Sequence, residues 1–332
     1  MEIDSLLRSM GKKVHNFLSR LRKHYRDIYW WRDYFVQSIL SRILFRNDGT
    51  YILKEEWDNL IILDACRYDV FEEIYKKRKL RGRLEYRISR GANTLSFLLE
   101  NFSLKDYYED IVYITANPFV DKVLRGKFFR IISVWKTGWD EKYHTVLPST
   151  MYKYALKALK KYPDKRLIIH FIQPHYPYLV APNIDDNSLN ELRKDMLEGK
   201  IPQVGYRRKK RVSFLKIAQR DFYLHIDARL HWLIYKKNLE IVMDYVERLI
   251  NILPGRTVVT SDHGEAFGEK LHPLLPFRVY GHVYNIRIPA IVKVPWLIVE
   301  PEDKEPLNLE EELIKISIKN FKAKLFNTIK EL

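Results

Sequence analysis

Two short apolar runs in this chain end in acidic clusters, and together they constrain the fold more than any other feature. LIIL leads into Asp64 within LIILDACRYD, and TVVT leads into Asp262 and His263 within TVVTSDHGE, almost two hundred residues later. Runs of this length, rich in aliphatic and β-branched residues and without helical spacing, read as strands buried on both faces of a parallel sheet. In open α/β sheets, ligand-binding groups gather beyond the carboxyl ends of such strands. The sequence therefore predicts that two distant segments meet at one site.

The rest of the chain follows the same alternation. Further strand candidates are residues 111–115, 131–134, 167–172 and 290–294, beside 60–63 and 257–260. Helical spacing appears from Ser149 to Lys161, through Met151, Tyr154, Ala155, Ala158 and Leu159. It recurs from Leu239 to Leu253, through Val242, Met243, Val246, Leu249 and Ile250, and stops at Pro254-Gly255. The expected class is α/β, a mostly parallel sheet covered by helices on both faces. A chain of 332 residues can hold one such domain with additions, or two unequal domains.

Three regions depart from the alternation. Residues 1–46 form a basic amphipathic extension: Leu6, Leu7, Val14, Phe17, Leu18 and Leu21 recur at helical spacing among Arg8, Lys12, Lys13, Arg20, Arg22 and Lys23. A second helical stretch carries Trp30, Trp31, Phe35, Ile39, Leu40, Ile43 and Leu44. Such helices lie on an anionic membrane, pack on the domain that follows, or form a dimer contact. The α/β domain then spans 47–305, with a polar insertion around 182–220 that contains the basic run Arg207 to Arg211. Residues 306–332, with Phe321, Leu325 and Ile329, read as a closing C-terminal helix.

A formal charge of +16 and a pI near 9.5 favour an anionic partner: a phosphorylated molecule, a lipid surface or a nucleic acid. No helix-turn-helix, finger or RNA-binding aromatic motif supports sequence readout, so no specific nucleic acid is expected. Cys66 is the only cysteine, which excludes an intramolecular disulfide and thiolate metal clusters from one chain. The N-terminus lacks a signal-peptide pattern and no stretch is apolar enough to span a bilayer. The expected location is cytoplasmic, with a peripheral place on the inner face of the membrane as the alternative. Self-association stays open.

Asp262 and His263 offer an oxygen and a nitrogen ligand, Gly264 permits the turn that lets both approach one ion, and Asp64 can complete the set from a neighbouring strand. Two carboxylates and an imidazole suit Zn²⁺ or Mn²⁺ ahead of Mg²⁺ or Ca²⁺. Between these ligands, ISRGANTLSFLLENF places Thr94 where Leu95, Leu98 and Leu99 begin a helix. A hydroxyl there stands beside unpaired N–H groups that attract phosphoryl oxygens, and a divalent ion would activate it as a nucleophile. The simpler alternative is that Asn93 and Thr94 only cap the helix. His170 and His175 in HFIQPHYPY, and His282 in YGHVYNIRIP, suit a second metal, substrate oxygens or proton transfer. Arg67, Arg90 and Lys293 are candidate anion contacts.

Taken in order, LIILDACRYD, SRGANTLSFL, HFIQPHYPY and VVTSDHGEAFGE followed by GH and RIPAIVKVP resemble the alkaline phosphatase superfamily. The branch resembled is that of sulfatase-like enzymes, phosphodiesterases and phosphoethanolamine or phosphoglycerol transferases, over roughly residues 55–300. The resemblance implies an alkaline-phosphatase-like core and a metal site on Asp64, Asp262 and His263. It also implies a Thr94 nucleophile, with Ser89 and Ser96 as weaker candidates. His175 and His282 would contact substrate or a second metal, His170 less surely. The implied activity is metal-dependent hydrolysis or transfer of phosphate mono- or diesters, lipid-linked ones included. Sulfate-ester hydrolysis is disfavoured: the Cys-x-Pro/Ala-x-Arg sequence of sulfatases is missing, and Ala65 follows Asp64 where sulfatases usually carry a second Asp. A non-catalytic protein that binds anionic lipid or nucleic acid is the alternative from another class.

Overall fold

Because aliphatic runs bury both faces, the strands form the middle layer of a three-layer arrangement. The computed structural model describes residue 15 and residues 18–182, 188–198, 214–218 and 227–318. Its strands are β1 (Asn59–Leu63), β2 (Arg83–Ile88), β3 (Tyr108–Thr115), β4 (Phe128–Ser133), β5 (Trp139–Asp140), β6 (Thr145–Val146), β7 (Arg166–Phe171), β8 (Lys216–Ala218), β9 (Thr257–Thr260), β10 (Ala266–Lys270), β11 (Arg278–Gly281) and β12 (Lys293–Val299). Seven of them build the main sheet in the order β2-β12-β9-β1-β7-β3-β4. Only β12 is reversed, running antiparallel to β9 and to β2.

Side chains alternate along each strand, so successive residues feed opposite cores. Ile61, Leu63, Ile169, Val259 and Leu297 join the cluster shared with helices Tyr68–Arg78, Pro148–Lys161 and Ala228–Ile252. Leu60, Ile62, Ile168, Val258 and Trp296 join the other, beneath helices Thr94–Asn101 and Pro118–Leu124. At its centre, Phe102 stands edge-on to Phe97, Tyr108, Tyr113 and Phe128, with ring centroids 5.2 to 6.3 Å apart. The mostly parallel sheet covered on both faces is thus the fold that the alternation predicted.

Several elements differ from the reading of the sequence. Residues 290–294 are not one strand: Pro289–Val292 is a helical turn and β12 begins at Lys293. Proline suits the first helical position, and Gly264 N donates to Ile291 O at 2.6 Å, so the turn is held from the other loop. Val134 opens a short helix instead of closing β4, and β2 carries too many charges to stand out as a strand. The stretch around 182–220 is more than a polar insertion. It contains helix Ser188–Leu197, whose Leu189 is buried in the main core, and β8, which pairs with β11 in a second sheet β10-β11-β8. Among the described residues no helix is long and apolar enough to cross a membrane. The N-terminal Leu6, Leu7, Val14 and Phe17, the run Arg207 to Arg211, and Phe321, Leu325 and Ile329 lie outside the described residues.

Two measurements test this packing. Phe102→Ala is expected to cost about 3–5 kcal/mol, seen as a lower urea midpoint at unchanged slope. Glu312, in the helical segment 309–318, accepts from Tyr152 Oη at 2.7 Å and pairs with Arg248 and Lys315. Burial pushes its carboxyl up, but these donors outweigh burial and hold it at about 2, below the usual 4.5. A carboxylate lowered by folding stabilises above its unfolded value and loses that contribution as pH falls. Between pH 4.5 and 2 the wild type is therefore expected to lose stability more steeply than Glu312→Gln, measured by thermal melts across that range.

Candidate active site

Strand register decides what meets at the carboxyl edge. β1 pairs with β9 in parallel, Ile62 opposite Thr260, so Asp64 and Asp262 emerge side by side, each two residues beyond that last pair. On its other side β1 pairs with β7, which brings His170 opposite Ile62. The loop after β1 is clamped to the loop after β9. Ala65 N donates to Asp262 Oδ1 at 3.1 Å, Cys66 N donates to Ser261 Oγ at 2.8 Å, and Ser261 Oγ bonds back to Leu63 O. Ala65 takes a left-handed φ of 59° to make this turn, a conformation that costs a residue with a Cβ about 1 kcal/mol or more.

Gly264 serves by close approach, not by a left-handed bend. A Cβ there would stand 2.2 Å from Ala290 O, so only glycine lets the Asp262-His263 loop pass over the Pro289 turn. In the second sheet Ala266 pairs with Gly281, and this register brings the flanking Glu265 and His282 together, Oε2 to Nδ1 at 3.0 Å.

The helix that starts at Thr94 separates capping from chemistry. Asn93 is the cap: its side chain accepts from Ser96 N at 2.9 Å, and Ser96 Oγ accepts from Asn93 N. Thr94 is the first helical residue and its hydroxyl turns elsewhere, 3.4 Å from Asp64 Oδ2 and 3.4 Å from His263 Nε2. The two serines weighed as alternatives are occupied structurally. Ser96 completes the capping box, while Ser89 Oγ donates to Asp262 O and accepts from Gly91 N.

Three potential donors gather around His263 Nε2. His263 Nε2 lies 3.3 Å from Asp262 Oδ2, 3.4 Å from Thr94 Oγ1 and 3.6 Å from Asp64 Oδ1. Donors about 2.0–2.1 Å from a tetrahedral Zn²⁺ stand roughly 3.3 Å from one another, so the spacing fits. Asp64 Oδ1 and Asp262 Oδ2 are buried without a hydrogen bond, an arrangement that costs several kcal/mol unless a cation completes it. Burial first, then the charges of Asp262 and Glu265, push the Asp64 carboxyl well above its usual range, against hydrogen bonds from Asn117 and Thr94. The residues present fit a divalent ion, which would supply the missing positive charge.

The imidazoles are held in matching tautomers. A carbonyl oxygen only accepts, so Nδ1 of His263 donates to Gly264 O at 2.8 Å and Nδ1 of His175 donates to Tyr176 O. Nδ1 of His282 faces Glu265 Oε2 at 3.0 Å. An imidazole that donates through Nδ1 presents its other nitrogen, Nε2, to a metal or a proton. His282 lies between the other two, its centroid 4.4 Å from that of His263 and 5.1 Å from that of His175. One donor atom each from His175, Glu265 and His282 falls within 4.8 Å of the others, a second group able to hold an ion. His170 sits with the first group instead, Nε2 4.0 Å from Asp262 Oδ2 and Nδ1 2.9 Å from Tyr113 Oη. Burial lowers His170 to about 4.

The three expected anion contacts have other engagements. Arg67 is buried, ion-paired to Asp69 and Glu269 and bonded to Glu265 O, because a guanidinium between Trp232 and Phe267 needs its charge compensated. Arg90 stacks on Tyr51 and pairs with Glu100, and Lys293 lies between the Tyr68 and Tyr86 rings, 4.3 Å from each centroid. Arg67 meets the carboxylate–histidine cluster only through the backbone carbonyl of Glu265, and the contacts given for Arg90 and Lys293 lie outside it. Three site residues escaped the sequence reading. Glu265 had a signal, standing within SDHGE itself. Asn117, which donates to Asp64 Oδ2 at 2.7 Å while its own Oδ1 caps helix Pro118–Leu124, and Tyr113, which orients His170, had none.

No family model and no curated protein matches the sequence, whereas solved structures do. The soluble domain of lipooligosaccharide phosphoethanolamine transferase A from Neisseria meningitidis is 14% identical, over 72% of this chain and 75% of that one, with a TM-score of 0.44. The integral membrane form of that protein is 13% identical over 88% of this chain, which spans 60% of its length, with a TM-score of 0.42. A protein in the alkaline phosphatase superfamily from Vibrio parahaemolyticus is 12% identical, over 75% and 61%, with a TM-score of 0.40.

If these donors hold a cation, chelator-treated protein should take up Zn²⁺ or Mn²⁺, read by competition with a chromogenic chelator. Asp262→Ala is expected to remove the tightest site, and Asn117→Ala to weaken it by about 10–100-fold through loss of support to Asp64. Uptake by Asp262→Ala equal to wild type would reject the assignment.

Proposed function

We propose that this protein is a metal-dependent phosphoryl-transfer enzyme that acts on phosphate esters through Thr94. The observation that carries the reading is the Thr94 hydroxyl. It is relieved of capping by Asn93 and is held within 3.4 Å of both Asp64 and His263, on buried carboxylates that call for a cation. The same arrangement favours a nucleophile over a structural threonine, whose hydroxyl would bond to backbone.

A divalent ion held by Asp64, Asp262 and His263 would lower the pKa of the Thr94 hydroxyl and offset charge on the phosphoryl oxygens. Thr94 Oγ1 gives up its proton and attacks phosphorus, forming an O–P bond as the ester O–P bond breaks, and the departing alkoxide takes up a proton in exchange for the one Thr94 released. Water or another hydroxyl then attacks the phosphothreonine, Thr94 Oγ1 leaves with the electron pair of its P–O bond, and phosphate or a new ester is released. His175 and His282, each with Nδ1 engaged, are suited to bind phosphoryl oxygens directly or through a second cation, and to shuttle the proton. His170, fixed by Tyr113, completes the wall behind Asp262.

The metal-loaded enzyme is expected to turn over phosphate mono- or diesters and not sulfate esters. Thr94→Ala should lower kcat by at least ~10³-fold with metal content unchanged to within a few fold, whereas Thr94→Ser retains measurable turnover. A Thr94→Ala enzyme as active as wild type would sink the reading.

A further inference from the structure

Between Ile28 and Leu44 the chain forms one helical rod: Ile28–Tyr34, a π-helical turn Phe35–Leu40, and Ser41–Leu44. Its inner face is committed to the domain. Val36 is fully buried, and Leu40, Leu44 and Phe45 pack on the same cluster as Val279, Ile286 and Ile288. Arg32, 4% exposed, donates to the carbonyls of Phe214 and Lys216 at 2.8 Å each and pairs with Asp33. Asn285 Nδ2 donates to Gln37 O at 3.3 Å, which fixes the rod three residues along from His282. Packing on the domain, one of the expectations for this segment, is therefore only half of what it does.

The outer face carries Ile28, Trp31, Phe35, Ile39 and Ile43, with exposures of 64, 40, 47, 45 and 76%. One spacing of three and then three of four drift around a 3.6-residue helix, and the wider π turn takes up part of that drift, so the five stay in one stripe. Single exposed apolar residues are ordinary, but a continuous stripe of this kind marks a surface meant to be covered. Its charge surroundings are one-sided. Arg20, Arg22, Lys23 and Arg26 precede it and Arg42 and Arg46 end it, all exposed. The only acids from 18 to 46 are Asp27, which caps the rod, and Asp33, which is tied to Arg32.

We infer that this stripe is a docking face for an anionic lipid bilayer. Apolar side chains with a tryptophan between cationic ends match the boundary between acyl chains and acidic headgroups. A second copy of this chain would oppose like charges to like, which disfavours pairing through the same face. The assignment holds whether or not Thr94 turns over a substrate. Joined to the catalytic reading, it sets the His282 rim beside the headgroup layer and favours phosphate esters borne by lipids.

Flotation of the full chain with phosphatidylcholine vesicles, with and without about 30% phosphatidylglycerol, tests it. Wild type is expected to float with the anionic vesicles only, and less as salt rises. Ile39→Glu combined with Ile43→Glu should lower partitioning at least ~10-fold, while melting temperature and turnover of a soluble phosphate ester stay at wild-type values. Failure of wild type to bind, or binding by the double variant equal to wild type, would overturn the inference. So would a wild-type dimer in sedimentation velocity that the double variant dissociates, since the face would then belong to a second copy.

Discussion

Two carboxylates brought into a dry pocket repel each other and lose their hydration, and that cost governs how the carboxyl edge of this sheet is built. Asp64 and Asp262 are both buried, each with an oxygen that has no hydrogen bond, and no Lys or Arg contacts either carboxylate among the described residues. Basic residues are abundant in the chain, yet the nearby Arg67 is turned to Asp69 and Glu269. The bases that do approach them are imidazoles, His263 Nε2 at 3.3 and 3.6 Å and His170 Nε2 at 4.0 Å, so the pocket's demand is for a proton or a cation. Everything adjoining it follows that demand: the left-handed Ala65, the serine clamp between two loops, the amide of Asn117, and imidazoles turned with Nδ1 outward to acceptors.

The means of holding the acids together is strand pairing. Parallel register between β1 and β9 sets Asp64 and Asp262 side by side, and the same principle in the small sheet sets Glu265 against His282. Because apolar cores lie on both faces of the main sheet, the register cannot slip by one residue without turning core side chains toward the wrong layer. Positioning of the polar cluster is thus a by-product of packing far from it.

Much of this was legible beforehand, and the exceptions have physical causes. β1, β9 and β7 stood out because strands buried on both faces are rich in apolar residues, and the acidic residues just beyond β1 and β9 contribute nothing to that packing. β2 did not, since as an edge strand it carries Arg83, Glu85 and Arg87. The 290–294 run misled because apolar content does not distinguish a buried helical turn from a strand. Asp64, Asp262 and His263 were proposed together and are found together, and Thr94 stands beside them. Arg67, Arg90 and Lys293 could not be placed from sequence, because a cation's partner is set by tertiary neighbours. Asn117 and Tyr113 acquire their roles only when β3 comes to lie beside β7.

The division of labour at the start of helix Thr94–Asn101 has a consequence for how such a chain can change. Asn93 and Ser96 supply the helix terminus with all the hydrogen bonds described for its cap, and the threonine hydroxyl adds none to the backbone. The hydroxyl at position 94 therefore supports the Asp64 carboxylate and not the helix terminus. Another small side chain can stand there without unmaking the cap, so the residue at this position can change while the helix terminus around it stays as it is.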